Sequence, residues 1–256
     1  MTTGVEMKRV RAVAHVHSTW SYDGAWSLAA VARLFSRLRC DVVLMTEHDR
    51  DFDEERWQGY REACAHASTS RTLVVPGIEY SDGENAVHVM VWGDLPFLGG
   101  GLATSALLAA AREHGAAAVM GHPARNLALR RFAPEWAPGL LGVEVWNRKE
   151  DGFSPAPEAL RLLSQSPSLV PFVGMDFHDA RQLFPLTMTL EVEGGVSRSS
   201  VIDALATRRC VASVGGLSAR QFTGGKTLRA SRLAETGRRE TLRWLRARRG
   251  RWASGT

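Results

Sequence analysis

The chain has 256 residues, 45% of them hydrophobic and 23% charged, which supplies one sizeable buried core and excludes a disordered or fibrous protein. Of its 32 Lys/Arg and 27 Asp/Glu, fourteen bases but only three acids fall from Ser197 onward, so an acidic body of −6 carries a basic tail of +11. No apolar run reaches the length of a membrane span, the N-terminus lacks the apolar segment of a secretory signal, and Cys40, Cys64 and Cys210 stand too far apart for a Cys-x-x-Cys pair; a cytoplasmic protein with reduced thiols and no membrane partner is expected.

The first expected strand is the apolar run 10–16. A helix capped by Ser27 and reaching Leu38 follows, then a strand over 41–46 and a helix capped by Asp53 that runs through Ala67. Strands over 73–78 and 86–92 come next, then a helix capped by Thr104 and stopped at His114-Gly115. The remainder reads as strands 116–120 and 141–146, a helix over 155–164, strands 169–174 and 187–192, a helix over 199–208 and a strand 210–214. Strand and helix alternate as in a parallel sheet with helices outside it, and the number of units points to a barrel. After Gly215 the chain becomes rich in glycine and arginine, and the helical pattern over 235–248 has few apolar positions. The expected organisation is therefore a domain over 1–215 and a peripheral basic extension over 216–256.

Histidines concentrate at the ends of these strands. Residues two apart on a strand share a face, so His15 and His17 in AHVHS would present both imidazoles to one side at the end of the first strand. The device recurs in Asp176-Phe177-His178 after LVPFVGM. Other strand ends carry His48 in LMTEHD, Glu79 in VVPGIEY and His122 in VMGHP, while His88 lies inside AVHVMVW and Asp23 follows in SYDG. One histidine in an apolar strand is ordinarily a satisfied core residue. Six of them with Glu79, Asp23 and Asp176 would be costly to bury without a metal, and barrel enzymes gather catalytic groups at strand C-termini. His66 and His114 fall on helical patterns and read as surface or helix-end positions.

The ordered set HVHS, SYDG, TEHD, PGIE, the His88 strand, GHP and MDFH resembles the polymerase and histidinol phosphatase (PHP) superfamily of metal-dependent hydrolases. The resemblance implies an α/β fold, a distorted (β/α)7 TIM-like barrel, holding up to three divalent ions of zinc, manganese or iron. By the same resemblance His15, His17, Glu79 and Asp176 would hold one ion, Glu79 would bridge to a second shared with His88 and His122, and Asp23, His48 and His178 would hold the third. His15, His17, Glu79 and Asp176 would then form the catalytic core around a metal-bridging hydroxide. Two dipeptides depart from the common pattern, Thr46-Glu47 where relatives often carry Thr-Asp, and Met175 where a serine commonly stands. The 34 positions from His88 to His122 leave no room for the large insertion of nucleotide-processing relatives, and LLGVEVWN is similar to a compact branch that includes carbamate and ester hydrolases.

A phosphoester substrate needs cations for its non-bridging oxygens. Arg125 in GHPAR, Arg148 and Arg181 are the expected substrate-binding residues, with Arg50 and Lys149 as further candidates. Trp20, Tyr22, Trp26 and Trp146 are candidates for a pocket wall, although aromatics beside strands ordinarily pack the core. The expected function is a phosphoesterase acting on a small phosphorylated metabolite. A carboxylic ester, carbamate or amide hydrolase with the same metals is the alternative within enzymes. Nucleic acid, engaged through the basic tail, is the weaker expectation for a partner.

Overall fold

The computed structural model describes residues 6–50, 52–125 and 128–253, with side chains as far as 246. In chain order the strands are β1 (Met7–Val16), β2 (Val42–Met45), β3 (Glu47–His48), β4 (Leu73–Val75), β5 (Ile78–Ser81), β6 (His88–Trp92), β7 (Ala117–Met120), β8 (Gly142–Asn147), β9 (Val170–Gly174), β10 (Leu186–Glu193), β11 (Cys210–Val214) and β12 (Leu217–Ser218). The helices are α1 (Leu28–Arg37), α2 (Glu54–Ala67), α3 (Thr104–Glu113), α4 (Ala128–Arg131), α5 (Arg148–Asp151), α6 (Pro157–Gln165), α7 (Arg198–Ala206), α8 (Ala219–Phe222) and α9 (Gly225–Ala253).

The strands form two mixed sheets, ordered β12-β11-β10-β1-β2-β4 and β3-β5-β6-β7-β8-β9. In the first, β1, β2 and β4 run parallel, while β10 returns antiparallel along β1 with Met7 opposite Glu193 and Ala12 opposite Met188. In the second, β6 is antiparallel to both β5 and β7. The two mixed sheets and the helices around them are the α/β class expected from the sequence; no closed barrel is found among the described residues. β10 takes most of the free edge of β1, so only the last turn of β1 reaches the other sheet, where Val16 bridges to Phe177 just past β9. The chain itself makes the remaining junctions, because β2 runs on into β3 and β4 into β5. In the second junction Pro76-Gly77 breaks what reads in sequence as one strand over 73–78; proline offers no ladder donor, and the Gly77 carbonyl accepts from Glu47 N instead.

Trp92 ties the sheets together inside the core. It is fully buried, stacks on Phe172 at 5.7 Å and donates its indole N–H to the Met45 carbonyl at 2.7 Å. The helices begin where chemistry favours it: Ser27 Oγ accepts from Ala30 N on α1, and Asp53 Oδ1 from Arg56 N on α2 at 2.8 Å. Thr104 is not a cap. It is the first residue of α3, buried, and Ala103 before it makes no side-chain cap bond. The segment expected to be peripheral is anchored at three points. β12 pairs with β11, Phe222 is fully buried, and Glu235 of α9 accepts from Phe153 N at 2.9 Å. No helix among the described residues is long and apolar enough to cross a membrane.

Candidate metal centre

Six histidines and three carboxylates converge where the two sheets meet. His15 and His17 do not reach this point by simple strand alternation. The β1–β2 register shifts between Ala14 and Val16, so His15 is the extra residue of a bulge, and it sits in the left-handed region at φ 59°. Asp176, also left-handed at φ 50°, lies beside it, where Met175 N donates to the Ala14 carbonyl and Phe177 N to that of His15. Two non-glycine residues in that conformation cost of order 1–3 kcal/mol each and persist only where the surroundings fix them. Both occur at the centre of the cluster. His88 arrives by a different route: it is the first residue of β6, and because β6 runs against β5 and β7, its start lies at the rim where their C-terminal ends lie.

Glu79 is the hub. Its Oε1 lies 2.8 Å from both His88 Nδ1 and His122 Nε2 and 3.4 Å from His15 Nε2, and its Oε2 lies 3.1 Å from His48 Nδ1 and 3.5 Å from His17 Nε2. Asp176 Oδ1 is 3.5 Å from His17 Nε2 and 3.2 Å from His178 Nδ1. Asp23 faces His178 Nε2 at 3.0 Å and His48 Nε2 at 3.4 Å. The structure therefore brings together all nine ligand-type residues expected from the sequence. His66 and His114 lie apart from them, both exposed.

Charge is finely set within this site. Burial works against a charged His15, but Glu144, Glu79 and Asp176 outweigh it and hold its pKa well above the usual imidazole value. Burial, reinforced by His48 and His178, pushes His17 well below that value. Burial works against a charged His48, but the carboxylates of Asp23 and Glu79 beside it outweigh that and raise it to about 10. Glu79 and Asp176 are lowered against the cost of burial, by His15 and His88 in the first case and by His15 and His122 in the second. Asp23, likewise opposed by burial, is held far below the carboxylate range by His178 and His48.

The donor set fits divalent cations. Nε2 of His15, Nε2 of His17 and Oε2 of Glu79 are buried without a hydrogen-bond partner, an arrangement that costs free energy unless something else satisfies it. Three sets of ligand atoms, from His15, His17 and Asp176, from His15, Glu79 and His122, and from His17, His48 and His178, each lie within 4.8 Å of one another.

Buried carboxylates behind these residues were not apparent as site residues in the sequence. Glu144, wholly buried in β8, accepts from His15 Nδ1 at 3.0 Å, from His122 N at 2.7 Å and from Asn147 Nδ2 at 2.9 Å. Its one signal was an acid inside the apolar strand LLGVEVWN. A Cβ at Gly174 would lie 2.1 Å from Glu144 Oε1 and 2.6 Å from His15 Cβ, so glycine alone lets β9 pass under this pair. Glu47, noted only as a departure from a pattern, is fully buried and bonded to Ser18 and Ser21.

A cavity of about 460 Å³ opens over the cluster, lined among others by Tyr22, Asp23, His48, Arg50, His88, Arg125 and Lys149. Lys149 Nζ lies 3.3 Å from Asp176 Oδ1. Arg148 and Arg181, expected as substrate-binding residues, are placed elsewhere. The Arg148 guanidinium lies over Phe153 and Phe184, at 4.8 and 5.3 Å from the ring centroids, and Arg181 is exposed and held by Asp179 at the end of its own turn. Of the aromatic candidates only Tyr22 lines the cavity, stacked on His48 at 5.3 Å. Trp20 packs on Tyr60, Trp26 on Phe177 and Trp146 on Phe184 and Phe222.

No family model and no curated protein matches the sequence. Among solved structures the chain is similar to PsfC from Pseudomonas syringae PB-5123, with a TM-score of 0.62 and 18% identity over 92% of this chain and 99% of that one. It is also similar to a two-domain protein from Bacteroides vulgatus ATCC 8482 that contains a predicted PHP-like metal-dependent phosphoesterase, with a TM-score of 0.59 and 19% identity over 90% and 70% of the two chains. The lesion-specific endonuclease PfuEndoQ from Pyrococcus furiosus matches with a TM-score of 0.55 and 13% identity, over 78% of this chain and 56% of that one. At these identities the shared property is the fold, and it is a PHP-like fold.

Proposed function

We propose that this chain is a metal-dependent hydrolase of the PHP superfamily, a phosphoesterase acting on a small phosphorylated metabolite. The observation that carries the reading is the set of buried, unpaired atoms on His15, His17 and Glu79 at the centre of nine ligand-type groups. His15, His17, Glu79 and Asp176 would hold one ion, Glu79 with His88 and His122 a second, and Asp23, His48 and His178 a third. Divalent ions bound there supply Lewis acidity and bring the pKa of a bound water toward neutrality. The protein's own part is positional. Glu144 orients His15, Glu79 joins the sets, and Arg50, Arg125 and Lys149 at the cavity rim would bind the anionic group. Those three cations favour a phosphoryl group over a neutral carboxylic ester or amide.

A second reading, a nuclease, draws support from α9. Arg229, Arg232, Arg239, Arg243 and Arg246 fall within about 100° of one another on an ideal helix, and all five are exposed. Arg232 and Arg239 line a groove with Arg125, which also lines the metal cavity. A phosphate backbone could follow that row toward the metals. The similarity to an endonuclease fold agrees with this reading.

The test is metal analysis of anaerobically purified protein, followed by hydrolysis of an aryl phosphate and an aryl acetate by the same preparation. The expected result is at least two divalent ions per chain and turnover of the phosphate. Glu79→Gln should lose metal and lower turnover by about 100-fold or more. Arg125→Ala should raise KM for the phosphate with metal content unchanged. Wild-type protein that takes up no zinc, manganese or iron would end this reading.

A further inference from the structure

The carboxylate of Glu47 is fully buried and faces only donors. Ser18 N lies 3.0 and 3.1 Å from its two oxygens, Ser18 Oγ 2.6 Å from Oε1, and Ser21 Oγ 2.5 Å from Oε2. Ser21 has two other neighbours: His48 N donates to its oxygen at 3.0 Å, and His17 Nδ1 lies 3.4 Å away. A hydroxyl has one proton. The nearest acceptor for it is Glu47 Oε2, so towards His17 the Ser21 oxygen has only a lone pair to offer. The ring nitrogen facing it is therefore matched as Nδ1–H, which in a neutral ring leaves the lone pair on Nε2, against the pull of Glu79 Oε2 and Asp176 Oδ1, each 3.5 Å from that atom. That is the atom found buried and unpartnered at the centre of the site.

We propose that Glu47 is a positioning residue that acts through Ser21 to hold His17 in its Nδ1–H tautomer, aiming the Nε2 lone pair into the cluster. His15 Nδ1 meets a carboxylate directly, that of Glu144; His17 Nδ1 meets one only through a serine relay. The same carboxylate fixes the turn 18–24, which carries Asp23 as well, and through His48 N it fixes the start of a third ligand's backbone. The consequence for metal binding rests on the reading given above. The tautomer does not, because it is a property of the metal-free chain.

The tautomer is measured on metal-free, full-length protein by long-range ¹H–¹⁵N correlation of the imidazoles, with the His17 signals identified by their loss in His17→Gln. The expected wild-type pattern is Nδ1–H. In Glu47→Gln the amide that replaces Oε2 can donate to Ser21, which turns the hydroxyl proton toward His17 and shifts it to Nε2–H. Ser21→Ala should give a mixture, and Ser21→Thr should restore Nδ1–H. Zinc affinity, read by chelator competition, should fall about 10- to 100-fold in Glu47→Gln and recover in Ser21→Thr relative to Ser21→Ala. If Glu47→Gln does not fold, the pair of Ser21 variants decides. An Nε2–H signal for His17 in the wild type, or an unchanged Nδ1–H signal in Ser21→Ala, would overturn the proposal. A chain that shows the predicted tautomers but takes up no metal would overturn the metal-centre reading and leave this one standing.

Discussion

At the scale of single residues, the site is built by pairing each imidazole with a carboxylate and leaving one atom of several residues without a partner inside the protein. The buried acids behind the cluster carry their own cost. Asp151 is buried beside Glu144 and accepts from Asn147 N at 2.7 Å, and burial raises its pKa from 3.8 to about 8. Between those two values the unfolded chain has released a proton that the folded chain keeps, so this group lowers stability as pH rises, by at most about 1.4 kcal/mol per pH unit. Asp151→Asn keeps an acceptor for Asn147 N and removes the titration. It should leave the melting temperature of the metal-free protein near the wild-type value at pH 4 and raise it at pH 8. An equal shift at both pH values would mean that Asp151 is ionised in the folded chain. Residues like Asp151 and Glu144 were illegible in sequence because an acid on an apolar strand or short helix gives no sign of what it faces. His15, His17 and the DFH triplet were legible because their close spacing is itself a signal.

At the scale of elements, local rules held where a helix or strand answers to its own residues and failed where a neighbour decides. Asp53 was readable as a cap because the capping bond lies within four residues. Asp53→Ala should destabilise the protein by about 1 kcal/mol, and thermal unfolding of the variant checks it; no change would mean that the first turn of α2 is held by packing alone. Thr104 has the right chemistry for a cap but is drawn one position into α3 and buried, a tertiary effect. The strand boundaries differ for the same reason. β1 begins at Met7 because β10 pairs there, and at Pro76-Gly77, where proline offers no ladder donor, the run 73–78 changes partner from β2 to β3. The antiparallel course of β6 is the clearest case. It places His88 at the functional rim from the start of a strand, a position that strand-end reasoning would not assign.

At the scale of the whole molecule, two mixed sheets meet along a seam, and the seam holds the site. The basic tail is part of this architecture through Phe222 and Glu235, and exposed arginines lie along α9, among them Arg232 and Arg239 in the groove that Arg125 borders. If the nuclease reading holds, a single-stranded oligonucleotide should bind with an affinity that falls steeply with salt. Replacing Arg229, Arg243 and Arg246 together with glutamine should lower the slope of log affinity against log salt by about two, without changing metal content. A slope unchanged by the triple replacement would separate α9 from substrate binding and leave the small-metabolite reading alone. The sequence by itself pointed to the nine residues that converge at the seam and determined the α/β class and the charge asymmetry, since these depend on residue type, spacing and periodicity. Only the tertiary structure decided that the sheets stay two and mixed, that Arg148 and Arg181 turn away from the cavity, and that Glu47 and Glu144 stand behind the histidines. Those outcomes depend on which strand claims which edge and which side chains a folded chain brings within hydrogen-bonding reach across more than a hundred positions, as with His15 and Glu144.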